Sequence, residues 1–374
     1  MKITVTISRI IVGVLFIFSG LVKAIDPLGL SYKMQEFFEV WADEGYLTFL
    51  MNFLHSHSFL FSIIIITLEV ALGVALLVGW KKKLTLRLLL LLMLFFTFLT
   101  SYVLFSGKIR TCGCFGDCIP LTPVQTFTKD IILLGLVCLL LWKQRYIKPL
   151  FDDLLPFALI LISVIGVLLL QMHVVKYLPL VDCLPYKKGN DLLKLRQMPE
   201  GAIPDKYEYS FVYKKDGVKS EFNANQLPDS TWKFLERKQT LIEKGKNNIP
   251  LINDFSLTDS SGADVTESVL GQNRDYYLFF LKDLDNGTRN WSTAFDILSK
   301  KSKQQNRPIY IVTSEREKME HFFNEVKKDN IMIYSCDATA IKTAARANPT
   351  LFLMRGPVVQ AKYSWAELDK AIKD

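Results

Sequence analysis

The sequence contains no Cys-x-x-Cys, no glycine-rich phosphate loop, no dinucleotide fingerprint and no Ser/His/Asp constellation. These absences remove the local signatures of a dithiol active site, a nucleotide hydrolase, a nicotinamide enzyme and a serine hydrolase. Nor is there a basic stripe with interleaved aromatics, so the formal net charge of +8 is not the footprint of a nucleic-acid binder. Many lysines and arginines instead flank apolar runs or sit beside acids. No inverted repeat or broken helix marks a transporter. A removable secretory signal is not expected: the first apolar stretch, Ile3 to Val22, is as long as a membrane span and is followed by no small-residue cleavage site, so it counts as the first transmembrane helix.

What is present is hydrophobic length. Half of the 374 residues are hydrophobic (50%), and they are unevenly placed. Up to about Tyr177 long apolar runs dominate, whereas from Asp182 onward the composition is that of a soluble domain. At least two domains in two solvents follow. Five stretches are long enough to cross a hydrocarbon core of about 30 Å: Ile3 to Val22, Phe59 to Gly79, Leu84 to Phe105, Phe127 to Trp142 and Leu154 to Val175. The expected fold is an α-helical membrane bundle of four helices with a fifth tethering span, followed by an α/β domain. The expected division is a bundle over residues 1–148, the fifth helix within 149–180, a small β-hairpin linker region over 181–249 and the α/β domain over 250–374.

Charge sets the direction. Lys81, Lys82 and Lys83, with Arg87, separate the second and third spans, and Lys143, Arg145 and Lys148 separate the fourth and fifth. Short basic loops stay in the cytoplasm. The N-terminus is then cytoplasmic, and Lys23 to Ser58, Ser106 to Thr126 and everything after Lys176 lie outside. The expected location is a bacterial inner membrane, multi-pass, with the C-terminal domain in the periplasm and the lipid bilayer as the first partner. Within the spans, Arg9 and Glu69 are polar residues that need partners. A mutual Arg9–Glu69 contact is one reading, and a proton relay or small-molecule site at Glu69 is the other.

The most informative short segment is Arg110-Thr-Cys112-Gly-Cys114-Phe-Gly116-Asp-Cys118, on the outer side, where thiols can be oxidised. Cys183 returns to the same side after the fifth span. The spacing is not that of a structural zinc site and the cluster has no histidine, so no metal is assigned. A structural disulfide framework and an exchanging thiol pair both remain open. For exchange, Cys112 and Cys114 are the candidate redox pair, with Arg110 available to lower a thiol pKa and glycines leaving the sulfurs accessible. Cys138, inside the fourth span, reads as apolar filler.

The run Arg9-Ile-Ile-Val-Gly13, the exit Phe18-Ser-Gly-Leu-Val-Lys23-Ala-Ile-Asp26-Pro27, Glu69 and Cys112-Gly-Cys-Phe-Gly116 together resemble the DoxX/MauE group of membrane proteins over about the first 145 residues. The longer architecture, including Val181-Asp-Cys-Leu-Pro-Tyr-Lys-Lys-Gly189, is similar to that of DoxX-family proteins of Bacteroidetes. The resemblance implies a four-helix bundle. MauE-like members are associated with disulfide maturation of an exported enzyme, DoxX-like members with quinone or thiol redox functions. A quinone is thus the one cofactor the resemblance suggests, and an exported client or redox partner the protein partner. The resemblance assigns no role to Cys118 or Cys183. Since both fall just outside the same membrane face, they are expected to bond to each other and pin the fifth helix to the outer loop.

In the exported half, Tyr207, Tyr209, Phe211 and Tyr213 alternate before Asp216-Gly217 and a return strand from Val218 to Phe222, a hairpin pattern. Beyond Pro250 strands are expected at Phe255 to Asp259, Tyr276 to Leu281, Pro308 to Thr313 and Ile331 to Tyr334, and as a hairpin over Thr350 to Val359. Helices are expected at Trp291 to Lys303, at Glu315 to Lys328 and from Trp365. This order resembles thioredoxin-like domains of membrane-anchored thiol reductases, and the resemblance implies a cis bond at Asn348–Pro349 facing the active site. Where that family places Cys-x-x-Cys, residues 282–291 contain no cysteine. Cys336 stands alone and reads as packing more readily than as a nucleophile. Two functions follow: a redox-associated membrane protein in thiol/disulfide handling or maturation of an exported client, or a non-catalytic membrane-anchored scaffold with structural disulfides.

Overall fold

The computed structural model describes residues 2–109, 111–113, 116–152, 154–215, 217–223, 225–243, 245–284, 291–325 and 331–373. Cys114, Arg110 and Asp216, to which the sequence reading gave roles, lie outside these residues, as do 285–290 of the stretch in the Cys-x-x-Cys position and the last part of the helix expected to reach Lys328.

Among the described residues five helices are long and apolar enough to cross a membrane: α1 (Lys2–Ile25), α4 (Ser58–Val78), α5 (Lys82–Ser106), α6 (Pro123–Trp142) and α7 (Leu154–Tyr177). Helix α6 begins four residues before the expected Phe127, because Thr122 and Gln125 form a reciprocal capping box ahead of Pro123. The segment between α1 and α4 folds into two further helices, α2 (Pro27–Asp43) and α3 (Thr48–Ser56). Helix α2 is started by Asp26, whose carboxylate accepts from Gly29 N at 3.1 Å, and it lays Leu30, Met34, Phe37 and Phe38 on the bundle.

Helices α1 and α4 run antiparallel and close. A Cβ at Gly73 would come within 2.9 Å of Gly13 O, so the two glycines set the approach. This pairing corrects the Arg9–Glu69 contact. Arg9 lies level with the C-terminal end of α4, where it donates to Leu76 O (2.8 Å) and Leu77 O (2.6 Å), and it also reaches Lys148 O (3.0 Å). It satisfies carbonyls left open at a helix end. Glu69 lies level with Lys23, about 20 Å further along α1 at 1.5 Å per residue. Lys23 Nζ donates to both Glu69 oxygens, at 2.6 and 2.7 Å, and to Ser19 Oγ at 2.9 Å. Both members of the pair are fully buried.

After α7 the chain enters an α/β unit. Tyr186 and Leu192, at the start of the short α8 (Leu192–Arg196), are in its core, so the segment that the sequence reading assigned to the linker packs on the α/β unit. A separate sheet of β1 (Lys206–Lys215), β2 (Val218–Asn223) and β3 (Lys233–Glu243) follows in the order β2-β1-β3. It has one strand more than the expected hairpin. Every residue of β3 is exposed, so it carries no alternation of burial from which a strand could be read.

The α/β unit continues with α9 (Thr266–Leu270), β4 (Asp275–Phe280), α10 (Ser292–Gln304), β5 (Ile309–Thr313), α11 (Arg316–Glu325), β6 (Met332–Ser335), α12 (Ala338–Ala344), β7 (Thr350–Arg355), β8 (Val358–Ser364) and α13 (Leu368–Lys373). Its sheet has the order β6-β5-β4-β7-β8, parallel across β6, β5 and β4 and antiparallel across β7 and β8. Alternate residues feed two cores, Leu278, Phe280 and Phe352 on one face and Tyr277, Phe279 and Leu351 on the other. The strand expected at Phe255 to Asp259 is reduced to bridges from Thr258 to Asp264 and Ser335, because Phe255 and Leu257 turn into the core while Asp259 caps a loop.

Candidate functional site

Several of the functional candidates meet where the end of the bundle formed by α2 and the segment after α5 contacts the α/β unit. The bundle contributes α2 and the segment after α5. In that segment Gly113 (φ +67°) and Gly116 (φ +59°) take the left-handed conformation, and Gly116 N donates to Gly113 O at 2.9 Å. This turn folds Cys112 back beside Asp117; with Thr111 and Pro120 they line a cavity of about 100 Å³. The loop lies close on α2, since a Cβ on Gly113 would reach within 3.1 Å of the Lys33 side chain. Cys112 is only 6% exposed, in the bundle's core.

The α/β unit contributes the end of β4, α12 and the turn into β7. The Asn348–Pro349 bond is cis. Asn348 accepts from Lys282 N (2.9 Å) and donates to Asp283 O (3.0 Å), tying the end of β4 to this turn. That sets the cis-proline turn beside Lys282 at the end of β4. Lys282, the first residue of the cysteine-free stretch, points its ammonium at Tyr32 Oη on α2, 2.9 Å away. Desolvation of that ammonium, reinforced by the Arg346 guanidinium, pushes its pKa down to about 7.

Arg346, just beyond α12, joins the two parts. It is 6% exposed and donates to Asp26 Oδ2 (2.8 Å), Asp117 Oδ2 (3.0 Å) and Lys342 O (2.6 Å), with its guanidinium 5.4 Å from the Tyr32 ring centre. Burial works against its charge, but Asp26 and Asp117 more than offset this and its pKa is raised. One side chain thereby holds the cap of α2, the residue after the Cys112 turn and the cis-proline side of the α/β unit. Lys342 also reaches Gln35 at 3.4 Å. At the neighbouring edge Lys362 pairs with Asp182 at 2.6 Å.

The structure places Cys118 and Cys183 in a disulfide. Cys112 is at the turn, while its proposed partner Cys114 is outside the described residues. Cys336 is buried at the end of β6, and desolvation pushes its thiol up to about 12, which leaves it no thiolate at neutral pH. Arg9 and Glu69 are in the bundle, separate from each other and from this junction. Beside the Lys23–Glu69 pair is a cavity of about 20 Å³ lined by Phe16, Met93, Phe96 and Asp130. That space fits a water molecule and not a quinone ring. Sequence reasoning missed Lys23, Tyr32, Asp117, Lys282 and Arg346. Asp26-Pro27 ahead of an amphipathic run was a signal for the α2 cap; nothing local marked Arg346.

Comparison with known proteins gives matches to separate parts of the chain. Residues 1–143 match the family described as methylamine utilisation protein MauE, and residues 207–244 match a domain of unknown function. Protein TlpB of Flavobacterium psychrophilum is 39% identical over 80 residues, which is 21% of this chain and 22% of that protein. The chain thus matches about a fifth of that relative's length. Among solved structures, a thiol:disulfide interchange protein DsbE of Chlorobium tepidum aligns with 32% of this chain and 91% of its own, at 18% identity and a TM-score of 0.25. BsSco, a member of the Sco family of cytochrome c oxidase assembly proteins, aligns with 33% of this chain and 90% of its own, at 15% identity and a TM-score of 0.26. Residues 1–143 are thus similar to the MauE family, and the chain continues into a five-stranded α/β unit that has no Cys-x-x-Cys.

Proposed function

We propose that this protein is a membrane-embedded thiol–disulfide exchange protein that handles disulfides of an exported partner. In this reading Cys112 and Cys114 are the exchanging pair and the thioredoxin-like unit is a cap without a Cys-x-x-Cys that docks on their loop. The observation that carries it is Arg346, which binds Asp117 of the cysteine loop and Asp26 of α2 from the cis-proline side of the cap. An α/β edge without a Cys-x-x-Cys is thereby tied to the loop that carries Cys112, which supports the reading. Exchange balances without a further reagent. The Cys112/Cys114 dithiol and a partner disulfide give a Cys112–Cys114 disulfide and a partner dithiol, and the reverse reaction oxidises the partner.

The sidedness belongs to the same proposal. The loops that carry Lys81 to Lys83 and Lys143 to Lys148 meet at the opposite end of the bundle, where Lys82 donates to Ile147 O and Leu150 N to Val78 O. Basic loops favour the cytoplasm, so the junction faces the periplasm of a bacterial inner membrane.

The test is redox trapping in living cells with single Cys112→Ser and Cys114→Ser variants. One of the two is expected to accumulate a mixed disulfide with an exported protein, identified by mass spectrometry. The reading fails if neither variant captures a partner and the double variant, normally assembled, leaves cell function and the exported thiols unchanged. That result would leave the second reading, a scaffold stapled by Cys118–Cys183.

A further inference from the structure

At the end of the α/β sheet away from Lys282, the residues that open β4, β5 and β6 and the last turns of α10 enclose a cavity of about 350 Å³, within the usual size of a small-molecule site. The six residues of β4 separate it from Lys282, roughly 20 Å at about 3.3 Å per residue. Arg274, Lys303 and Arg307 line it. Among the described residues Arg307 alone of the three is matched by acid, since Asp275 lies 3.5 Å from it and 2.9 Å from Arg355. Arg274 is held by neutral acceptors instead. Its Nε donates to Gln272 Oε1 at 2.7 Å and its Nη2 to Tyr310 Oη at 3.2 Å, while that hydroxyl donates to the same Gln272 oxygen at 3.3 Å. Tyr310 is buried between the rings of Tyr276 and Tyr334, so the guanidinium is positioned before any ligand arrives, with its other N–H groups left to donate. The negative end of α10 is closed off from the cavity. The carbonyls of Lys301, Ser302 and Lys303 accept from the backbone N–H groups of Gln305, Arg307 and Asn306, the last in the left-handed conformation (φ +53°). Phe295, Ile331 and Met332 supply an apolar wall.

We infer that this cavity binds a small soluble phosphate monoester with an apolar substituent. Arg274 and Lys303 bring two positive charges that no described carboxylate offsets, and a phosphate monoester carries about −1.5 to −2 at neutral pH. A carboxylate would answer only one of them. The planar guanidinium can take two phosphate oxygens as a fork while the ammonium takes a third, and the substituent then rests on Phe295 and Met332. The site binds and makes no bond. It lies at the opposite end of β4 from the junction and uses no cysteine, so it stands whether or not the function proposed above does.

The experiment is calorimetric titration of the full chain, held in phosphatidylcholine nanodiscs and phosphate-free buffer, with phenyl phosphate. Saturable binding is expected. Benzoate, which has the same ring and a single charge, should bind at least about tenfold more weakly, and Arg274→Ala or Lys303→Ala should each weaken phenyl phosphate at least about tenfold. Both side chains are exposed, so thermal melting of the variants should match that of the wild type. Lys300→Ala, which removes an exposed lysine of α10 outside the cavity, should leave the affinity unchanged. The inference is overturned if phenyl phosphate shows no saturable binding, or if the Arg274→Ala/Lys303→Ala protein, melting as the wild type does, binds it equally well. It is also overturned if Lys300→Ala weakens binding as much as Arg274→Ala, since the effect would then be one of net charge. Competition by phosphatidic acid built into the nanodisc would move the site to a lipid monoester and overturn the assignment to a soluble one.

Discussion

The bundle and the junction each bury a cation against carboxylate, but they use it differently. Lys23 and Glu69 form a closed pair inside one bundle, with Ser19 taking a further ammonium hydrogen. Arg346 sits between two folding units, and its carboxylates come from two separate segments of the other one. Asp26 is 18% exposed and Asp117 46%, so bulk solvent reaches part of the second cluster, whereas Lys23 and Glu69 are closed off from it. A charge cluster sealed inside a unit contributes to whether that unit exists; one shared between units contributes to how they are arranged.

Breaking the first cluster should have the largest effect. Glu69→Gln leaves the Lys23 ammonium buried without its counter-ion, and losing one partner of a buried pair costs about 3–5 kcal/mol. The expected result is a loss of folded protein from the membrane, read as yield and thermal stability after mild solubilisation. Lys23→Met combined with Glu69→Leu should cost less than the two single changes added together, since it removes both charges at once. Equal stability of Glu69→Gln and wild type would mean that the pair is not the bundle's anchor.

Breaking the second cluster should separate the units without unfolding either. Arg346→Ala is expected to leave the melting of the bundle and of the α/β unit intact while raising protease cleavage between α7 and the α/β unit. Loss of either unit's own melting transition would show that Arg346 is a core residue and not a junction.

The smallest effect is a pH slope. Lys282 titrates at about 7 when docked and near its ordinary value when free, so the docked state binds fewer protons between those limits. Docking should therefore be fully present above the free value and weaken as pH falls through the window to about 7, with no further Lys282 effect below. Tyr32, Arg346, Lys342, Asp26 and Asp283 all act on this group. Tyr32 itself is raised by burial, so it titrates above its ordinary value and leaves the neutral part of the window to Lys282. Lys282→Met should flatten the slope, as measured by Lys342 acetylation against pH; an unchanged slope would assign it to another group.

These contrasts also show what a linear sequence conveys. The spans were legible because hydrophobic length is a local property, and β4, β5 and β7 because buried strands are continuous apolar runs. Lys23 was read as the first residue of the outer loop because the apolar run ends at Val22. Its partner became evident only once Gly13 and Gly73 had set α1 against α4. The third strand of the small sheet was illegible because both its faces meet solvent. Arg346 was missed for a different reason: its partners lie 229 and 320 positions away in the chain, and no periodicity spans that distance. The thioredoxin-like order of elements was readable, whereas the surface on which its cis-proline edge rests was a tertiary fact.

The most direct measurement of the central claim, that this edge is docked on α2 at the end of the bundle, is an intramolecular cross-link between Gln35→Cys on α2 and Lys342→Cys on α12, whose native side chains meet at 3.4 Å. The account predicts that a short oxidative or bifunctional thiol reagent joins the two positions within one chain in native membranes, and that adding Arg346→Ala abolishes the link. A stably inserted protein in which the two cysteines never become joined would contradict it.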